Sequence, residues 1–157
     1  MKSSTQLLLA FILALTTSQA FSAIRLAATS PGNFTFSADN TALPLDSSGA
    51  TSLTFKTNKA NQRVAIAYNA ECSFESKTVQ GWIGVDIIVD GTIVAPSNSD
   101  DAMCSSDGGN VHNWTRPVMN VFYVVPVAGT HTIEVKARIG FGTGTGWMSD
   151  SSLLIWL

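Results

Sequence analysis

Residues able to do chemistry crowd into one stretch of the chain: Asp100, Asp101, Asp107, Asn110 and His112 in the polar segment Pro96 to Asn113, followed at once by Trp114. The carboxylates and the amide of Asp100, Asp101, Asp107 and Asn110 are the hard oxygen ligands calcium prefers. Backbone carbonyls near Gly108 and Gly109 would complete a shell of about six or seven. The spacing matches no calcium loop, since Asp-x-Asp-x-Asp-Gly with a following Glu is absent, and clusters of Asp, Asn, Ser and Gly also make ordinary solvated turns. The solvated loop is therefore the stronger reading and calcium the conditional one. A loop of this length in a compact domain is often functional when ordered, so it is the first place to expect a ligand.

The other candidate chemistries are weaker. His112 and His131 are the only imidazoles, and a zinc site would need further ligands from cysteines expected to be oxidised. His131 falls on the apolar parity of its strand beside Ile133, where a packed, hydrogen-bonded histidine is the ordinary occupant. A Ser-His-Asp set finds no Gly-x-Ser-x-Gly turn to support it, so no catalytic residue is assigned and a hydrolase ranks third among the readings. GFGTGTG at Gly140 to Gly146 lacks the Lys-Ser/Thr pair and the helix of a phosphate loop, and reads as a mobile hairpin connection. Trp82, Trp114 and Trp147 stand at strand ends or in loops, where an indole could stack on a sugar ring. A lectin-like site built from Trp82, Trp114 and the Asp100 to Asn113 loop is the leading alternative function. Asn33-Phe34-Thr35 and Asn113-Trp114-Thr115 fit the glycosylation pattern, which matters only in a eukaryotic secretory route.

These residues must be positioned by β-structure. In WIGVDIIVDGTIV, Trp82 to Val94, Ile83, Val85, Ile87 and Val89 alternate with Trp82, Gly84, Asp86 and Ile88, and Asp90-Gly91 is a strong signal for a two-residue hairpin turn. The same period of two recurs along the chain. Ile24 to Thr29 reads as a short strand ended by the Ser30-Pro31-Gly32 turn, and Phe34 and Phe36 begin another. Ser52 to Thr57, Val64 to Cys72, Val118 to Val125, His131 to Ile139 and Ser151 to Leu157 complete the set. About eight strands with no amphipathic helix predict an all-β, antiparallel two-sheet β-sandwich of jelly-roll type. A small outer-membrane barrel is disfavoured by Asp86 and by short, irregular connections.

Two stretches are apolar on both parities. Met119, Val121, Tyr123 and Val125 alternate with Val118, Phe122 and Val124, and Leu153 to Leu157 is similar. A two-layer sandwich buries one face of each sheet, so such strands ask for a second cover. Another subunit is favoured, placing Val118, Phe122 and Val124 in a self-association surface; coverage by loops such as Gly140 to Gly146 is the competing expectation.

The chain has 157 residues, a formal net charge of −2 and 13% charged residues. This is one domain with a neutral, hydroxyl-rich surface and no basic stripe, which argues against nucleic acid. Lys2, the apolar run Leu7 to Leu15 and the small residues Ser18 and Ala20 have the three-part form of a secretory signal. Cleavage is expected after Ala20, less readily after Ala23, leaving residues 21–157 as the mature domain. No later stretch reaches the ~18 apolar residues of a membrane helix. Export to the periplasm or the exterior makes Cys72 to Cys104 a disulfide.

VDIIVDGTIVAP at Val85 to Pro96, the Cys104 loop, AGTHTIEVKARI at Ala128 to Ile139 and the terminal WMSDSSLLIWL resemble the small secreted bacterial β-sandwich proteins of unknown function. More distantly, they resemble the jelly rolls of the complement and tumour-necrosis-factor type. The resemblance implies architecture and trimeric assembly, not a reaction. The sequence therefore reads as a secreted, non-catalytic binding or structural module that self-associates, needs no cofactor unless the acidic loop holds calcium, and has a glycan as its alternative partner.

Overall fold

The computed structural model describes residues 23–76, 81–94, 102–106, 114–140 and 143–157. Ten strands run in order: β1 Ile24–Phe36, β2 Thr41–Ala42, β3 Ser52–Thr57, β4 Gln62–Glu75, β5 Trp82–Val89, β6 Thr92–Val94, β7 Cys104–Ser105, β8 Val118–Val125, β9 Gly129–Gly140 and β10 Thr145–Trp156. Sheet A has the order β1-β10-β4-β8. Sheet B has the order β2-β9-β5-β6, with β3 also against β9 and β7 against β5. Every pairing is antiparallel. With the two-residue strands β2 and β7 set aside, this is the expected eight-stranded jelly roll.

The topology follows from one long ribbon. β5 pairs β6 across the tip, β4 pairs β8, β3 pairs β9 and β1 pairs β10, so the antiparallel pairs nest inside one another. Rolling the ribbon brings β10 beside β4 and β9 beside β5, which makes two sheets from one hairpin. The tip is Asp90-Gly91, with φ of 49° and 78°. Positive φ at both positions is the requirement of a type I′ turn, whose twist matches that of the strands it joins. The inner faces supply the core: Val64, Ile66 and Tyr68 of β4, Ile83, Val85 and Ile87 of β5, Ile133 and Val135 of β9, Leu153 and Ile155 of β10, all buried.

Three expectations require correction. Ser30-Pro31-Gly32 does not end a strand: β1 runs through it, and the register with β10 shifts between Ser30 and Asn33. A bulge serves here because Gly32 takes φ 92° and Asp150, across the pair, takes φ 45°. The Asp150 carboxylate accepts the Gly32 N–H at 3.2 Å and holds the irregularity in place. Second, the last strand starts at Thr145 rather than Ser151. Third, the glycines of GFGTGTG at Gly140 and Gly146 lie in strands, as seats for aromatic rings. Gly140 pairs with Trp82 and Gly146 with Phe36, and a Cβ on either glycine would overlap that ring. A ring lying on a cross-strand glycine recovers the contact area the glycine lacks.

Cys72 of β4 and Cys104 of β7 form the expected disulfide, with Cα atoms 6.2 Å apart. β4 belongs to sheet A and β7 to sheet B, so the bond ties the two layers together at one end of the sandwich. Thr115 closes that end further. It exchanges both backbone hydrogen bonds with Cys72, at 2.8 and 3.0 Å, and its hydroxyl lies 3.2 Å from the Cys104 Sγ. The bond spans 32 residues, so replacing both cysteines by Ser should lower the unfolding free energy by about 3 to 4 kcal/mol. Urea unfolding of C72S/C104S beside the parent measures this; a loss below about 1 kcal/mol would show that the layers are held without it.

Candidate functional site

Three regions of the rolled ribbon hold the polar and exposed apolar groups. The first is the outer face of sheet A. Register aligns Phe122 of β8 with Ala65 of β4, Ala65 with Trp156 of β10, and Trp156 with Ile24 of β1. The next row reads Asn120, Ala67, Leu154 and Ala27. The result is an apolar band across four strands whose ends stand clear of the fold: Phe122 is 74% exposed and Ile24 65%, with Val118 and Val124 also exposed. The described residues leave this face open, so loop coverage, the competing expectation, is not what they show. Ala65, Ala67, Leu154 and Trp156 are half-buried among their neighbours, which makes the band smooth in its middle and prominent at Phe122.

The second region is the disulfide end. Trp82 pairs with Ser105, Ile83 with Cys104, and Cys104 is bonded to Cys72, which pairs with Thr115. Trp114 is adjacent to Thr115, so the fold brings both tryptophans to one end. They differ in availability. Trp82 is half-buried and packed on Gly140, whereas Trp114 is 44% exposed. Asp100, Asp101, Asp107, Asn110 and His112 lie outside the described residues, and the calcium expectation with them. Among the described residues no three His, Cys, Asp or Glu side chains gather as a metal site.

The third region is polar and was not assigned from sequence. At the ribbon tip the Asp90 carboxylate accepts the Thr132 N–H at 2.8 Å and the Thr132 hydroxyl at 3.2 Å, and lies 2.7 Å from His131 Nδ1. On the other side of the ring, His131 Nε2 is 3.0 Å from the Thr57 hydroxyl, which is also 3.3 Å from the Val127 carbonyl. The order carboxylate, imidazole, hydroxyl is that of a hydrolase triad, but Thr57 is 4% exposed and His131 2%. A hydroxyl enclosed this far has no room to meet a substrate carbonyl. The row ties the turn of β5–β6 to β9 and the end of β3, and Phe55 packs against the ring at 5.4 Å between centroids. His131 is thus the packed, hydrogen-bonded histidine its parity suggests.

A second polar group sits farther along the same sheet. Arg138 donates to Asp39 through Nε and to the buried Asp86 through a terminal nitrogen, both at 3.0 Å, and the Ile139 N–H also reaches Asp39 at 3.0 Å. Asp86, the residue that breaks the apolar character of the central hairpin, is thereby paired, as a buried carboxylate must be. A small recess at the β1–β10 bulges, lined by Ser30, Gly32, Ser149 and Ser151, ends on the phenol of Tyr68. Burial pushes that phenol up to about 12, so it stays neutral.

No family model matches the sequence, and no curated protein matches it. Solved structures resemble it in shape. The C-terminal domain of EclA, described as a sugar-binding protein, is 9% identical, with 79% of this chain and 78% of that one covered at a TM-score of 0.41. The VP2 subviral particle of infectious bursal disease virus is 17% identical at a TM-score of 0.43. That match covers 88% of this chain but 33% of the capsid protein, so this chain spans about a third of its length.

The Asp90 clamp has a pH signature. Partial burial pulls the Asp90 carboxyl upward, but the bonds from His131 and Thr132 together outweigh it and hold the group below its ordinary value of 3.8. Partial burial likewise raises Asp39, and the Ile139 N–H and Arg138 outweigh it. A folded-state pKa below the unfolded one stabilises the fold above the ordinary value, and that contribution fades as pH falls through the folded value. Asp90→Asn should therefore be less stable than the parent at pH 7, with the gap closing below about pH 4. Urea unfolding at pH 7 and pH 3 measures it, and a gap of equal size at both would remove the carboxylate from the explanation.

Proposed function

We propose that the protein is an exported, non-catalytic structural or binding module that associates with copies of itself through the outer face of sheet A. The observation that carries this reading is the exposed apolar band from Ile24 through Trp156 and Ala65 to Phe122, on a face where β8 and the end of β10 are apolar on both sides. A side chain as apolar as phenylalanine and 74% exposed loses favourable burial in a monomer and regains it in an assembly. Export is supported by the disulfide and by the signal-like apolar run, which lies outside the described residues together with its Ala20 site. The Ala23 carbonyl accepts the Leu157 N–H at 3.2 Å, a bond that cleavage after Ala20 keeps and cleavage after Ala23 would sever. Among the described residues no helix is long and apolar enough to cross a membrane.

Light scattering on the mature, oxidised protein should give a mass above that of one chain. Phe122→Glu should return it to the single-chain mass without loss of the far-ultraviolet β signal, because the side chain is outside the core. A folded Phe122→Glu variant with unchanged mass would overturn the reading.

The second reading is a glycan-binding module, favoured by the exposed indole of Trp114 at the disulfide-pinned end. An exposed indole next to Thr115, which is hydrogen-bonded to the disulfide's Cys72, is the element such a site needs. A glycan array read with and without chelator, beside Trp114→Ala, decides it. Saturable binding lost in the variant supports a sugar site, loss on chelation adds calcium, and an array without signal leaves the structural role alone.

A further inference from the structure

β8 ends sheet A, and an edge strand presents a row of unpaired N–H and C=O groups that invites another strand. The other described edges carry recognised guards. β1 is broken by two register shifts and contains Pro31; β6 has three residues and β2 and β7 two each; β3 displays Lys56. β8 carries none of these. Its eight residues, VMNVFYVV, hold an uninterrupted register with β4 and include no charge, and proline stands only outside it, at Pro117 and Pro126.

The backbone bonds show which groups of β8 are free. Cys72 and Thr115, which continue the register that sets Asn69 opposite Val118, exchange both N–H···O bonds. Antiparallel pairs alternate in this respect. Counted from Thr115, Met119, Val121, Tyr123 and Val125 turn their polar groups to β4, and Val118, Asn120, Phe122 and Val124 turn theirs to the open edge.

We propose that two copies join β8 to β8, antiparallel about a twofold axis at Val121, so that sheet A continues into its partner as one eight-stranded sheet. This rests on the self-association reading and moves its contact from the outer face of sheet A to the β8 edge of the same layer, where the two apolar bands meet side by side. Pairing the outward-facing residues sets Val118 against the partner's Val124 and Asn120 against the partner's Phe122, which forms about eight backbone bonds and leaves the β4 ladder untouched. A second copy fits this edge because an uncharged strand opposes no like charges when paired with itself. The exposed Phe122 and Val118 gain apolar neighbours on the outer face, and the two apolar bands become one. A strand of this length is about 26 Å long. Its edge buries on the order of 500 Å² per copy, less than the roughly 800 Å² of a standard interface. The dimer is therefore reversible and concentration-dependent, and a twofold replaces the trimer that the family resemblance implies.

The test uses the mature, oxidised protein and two variants. In Val118→Cys/Val124→Cys the two thiols of one chain are about 20 Å apart along the strand and cannot bond to each other. Facing pairs in the dimer have Cα atoms about 5.5 Å apart, within disulfide reach. A mild oxidant should give a covalent dimer on a non-reducing gel, with no ladder above it. Asn120→Pro removes an N–H that points away from β4, so the fold should persist while association weakens at least tenfold in sedimentation velocity. If the parent associates but the cysteine variant does not cross-link, or Asn120→Pro associates normally or unfolds, the edge geometry is wrong and self-association stands by another contact. If the parent stays a single chain up to about 1 mM, both readings fall.

Discussion

The turn at Asp90-Gly91 is the constraint on which the rest of the structure depends. A jelly roll is one ribbon folded over itself, and the ribbon needs a tip tight enough to keep β5 and β6 in register while its arms grow outward. Two consecutive residues with positive φ provide it, and the second is glycine because that conformation costs glycine little. Aspartate at the first position does more than tolerate the geometry. Its carboxylate takes the Thr132 backbone and hydroxyl bonds and faces His131, so the tip is fastened to β9, the strand that lies beside β5 when the ribbon rolls. Local turn chemistry and the global roll agree at this residue, as expected of a sequence that specifies one structure.

The two ends of the sandwich are secured by different means. At the tip, hydrogen bonds around His131 link β3, β9 and the β5–β6 turn through a ring enclosed by the core. At the other end a disulfide crosses from sheet A to sheet B, and Thr115 fills the angle beside it. Between them the bulges of β1 and β10, stabilised by Asp150, bend sheet A over the core. The outer face of sheet B carries paired charges where Asp86, Arg138 and Asp39 meet. Sheet A carries its paired polar groups toward the disulfide end of its outer face, where Asn69 bonds Ser152 and Glu71 meets Arg116. The rows through Ala65 and Ala67 lie beside them, which directs attention to association through that layer.

The exposed band and the unguarded edge of β8 are two views of the same feature. Natural sandwiches that remain single chains place charge, proline or irregularity at a long edge strand, because an open row of backbone groups beside apolar side chains recruits further strands. Here the guards sit on β1, and the opposite edge is left plain. Such a distribution fits a protein whose assembly is selective, with one edge closed and the other available. The disulfide end, where Trp114 projects, lies away from the central rows of the band and is free to carry a separate ligand.

Sequence alone determined the strands that alternate strictly, the Asp90-Gly91 hairpin, the disulfide and the double apolarity of β8, because each is a local pattern with a local physical cause. It also marked Asp86 as a misfit and His131 as a packed ring, since parity places a side chain on a face without naming its neighbour. The partners were decided only in three dimensions. Arg138 lies fifty-two residues from Asp86, and no period in the chain announces that pairing. The same holds for the ring seats: Gly140 and Gly146 read as flexible linker residues until Trp82 and Phe36 are laid on them. Pro31-Gly32 spells a turn locally, and the register of β10 overrides it as a bulge, because the hydrogen bonds of a continuous strand outweigh a turn preference that costs little to accommodate. Which outer face stays open was likewise a tertiary outcome, since exposure depends on what the rest of the chain covers.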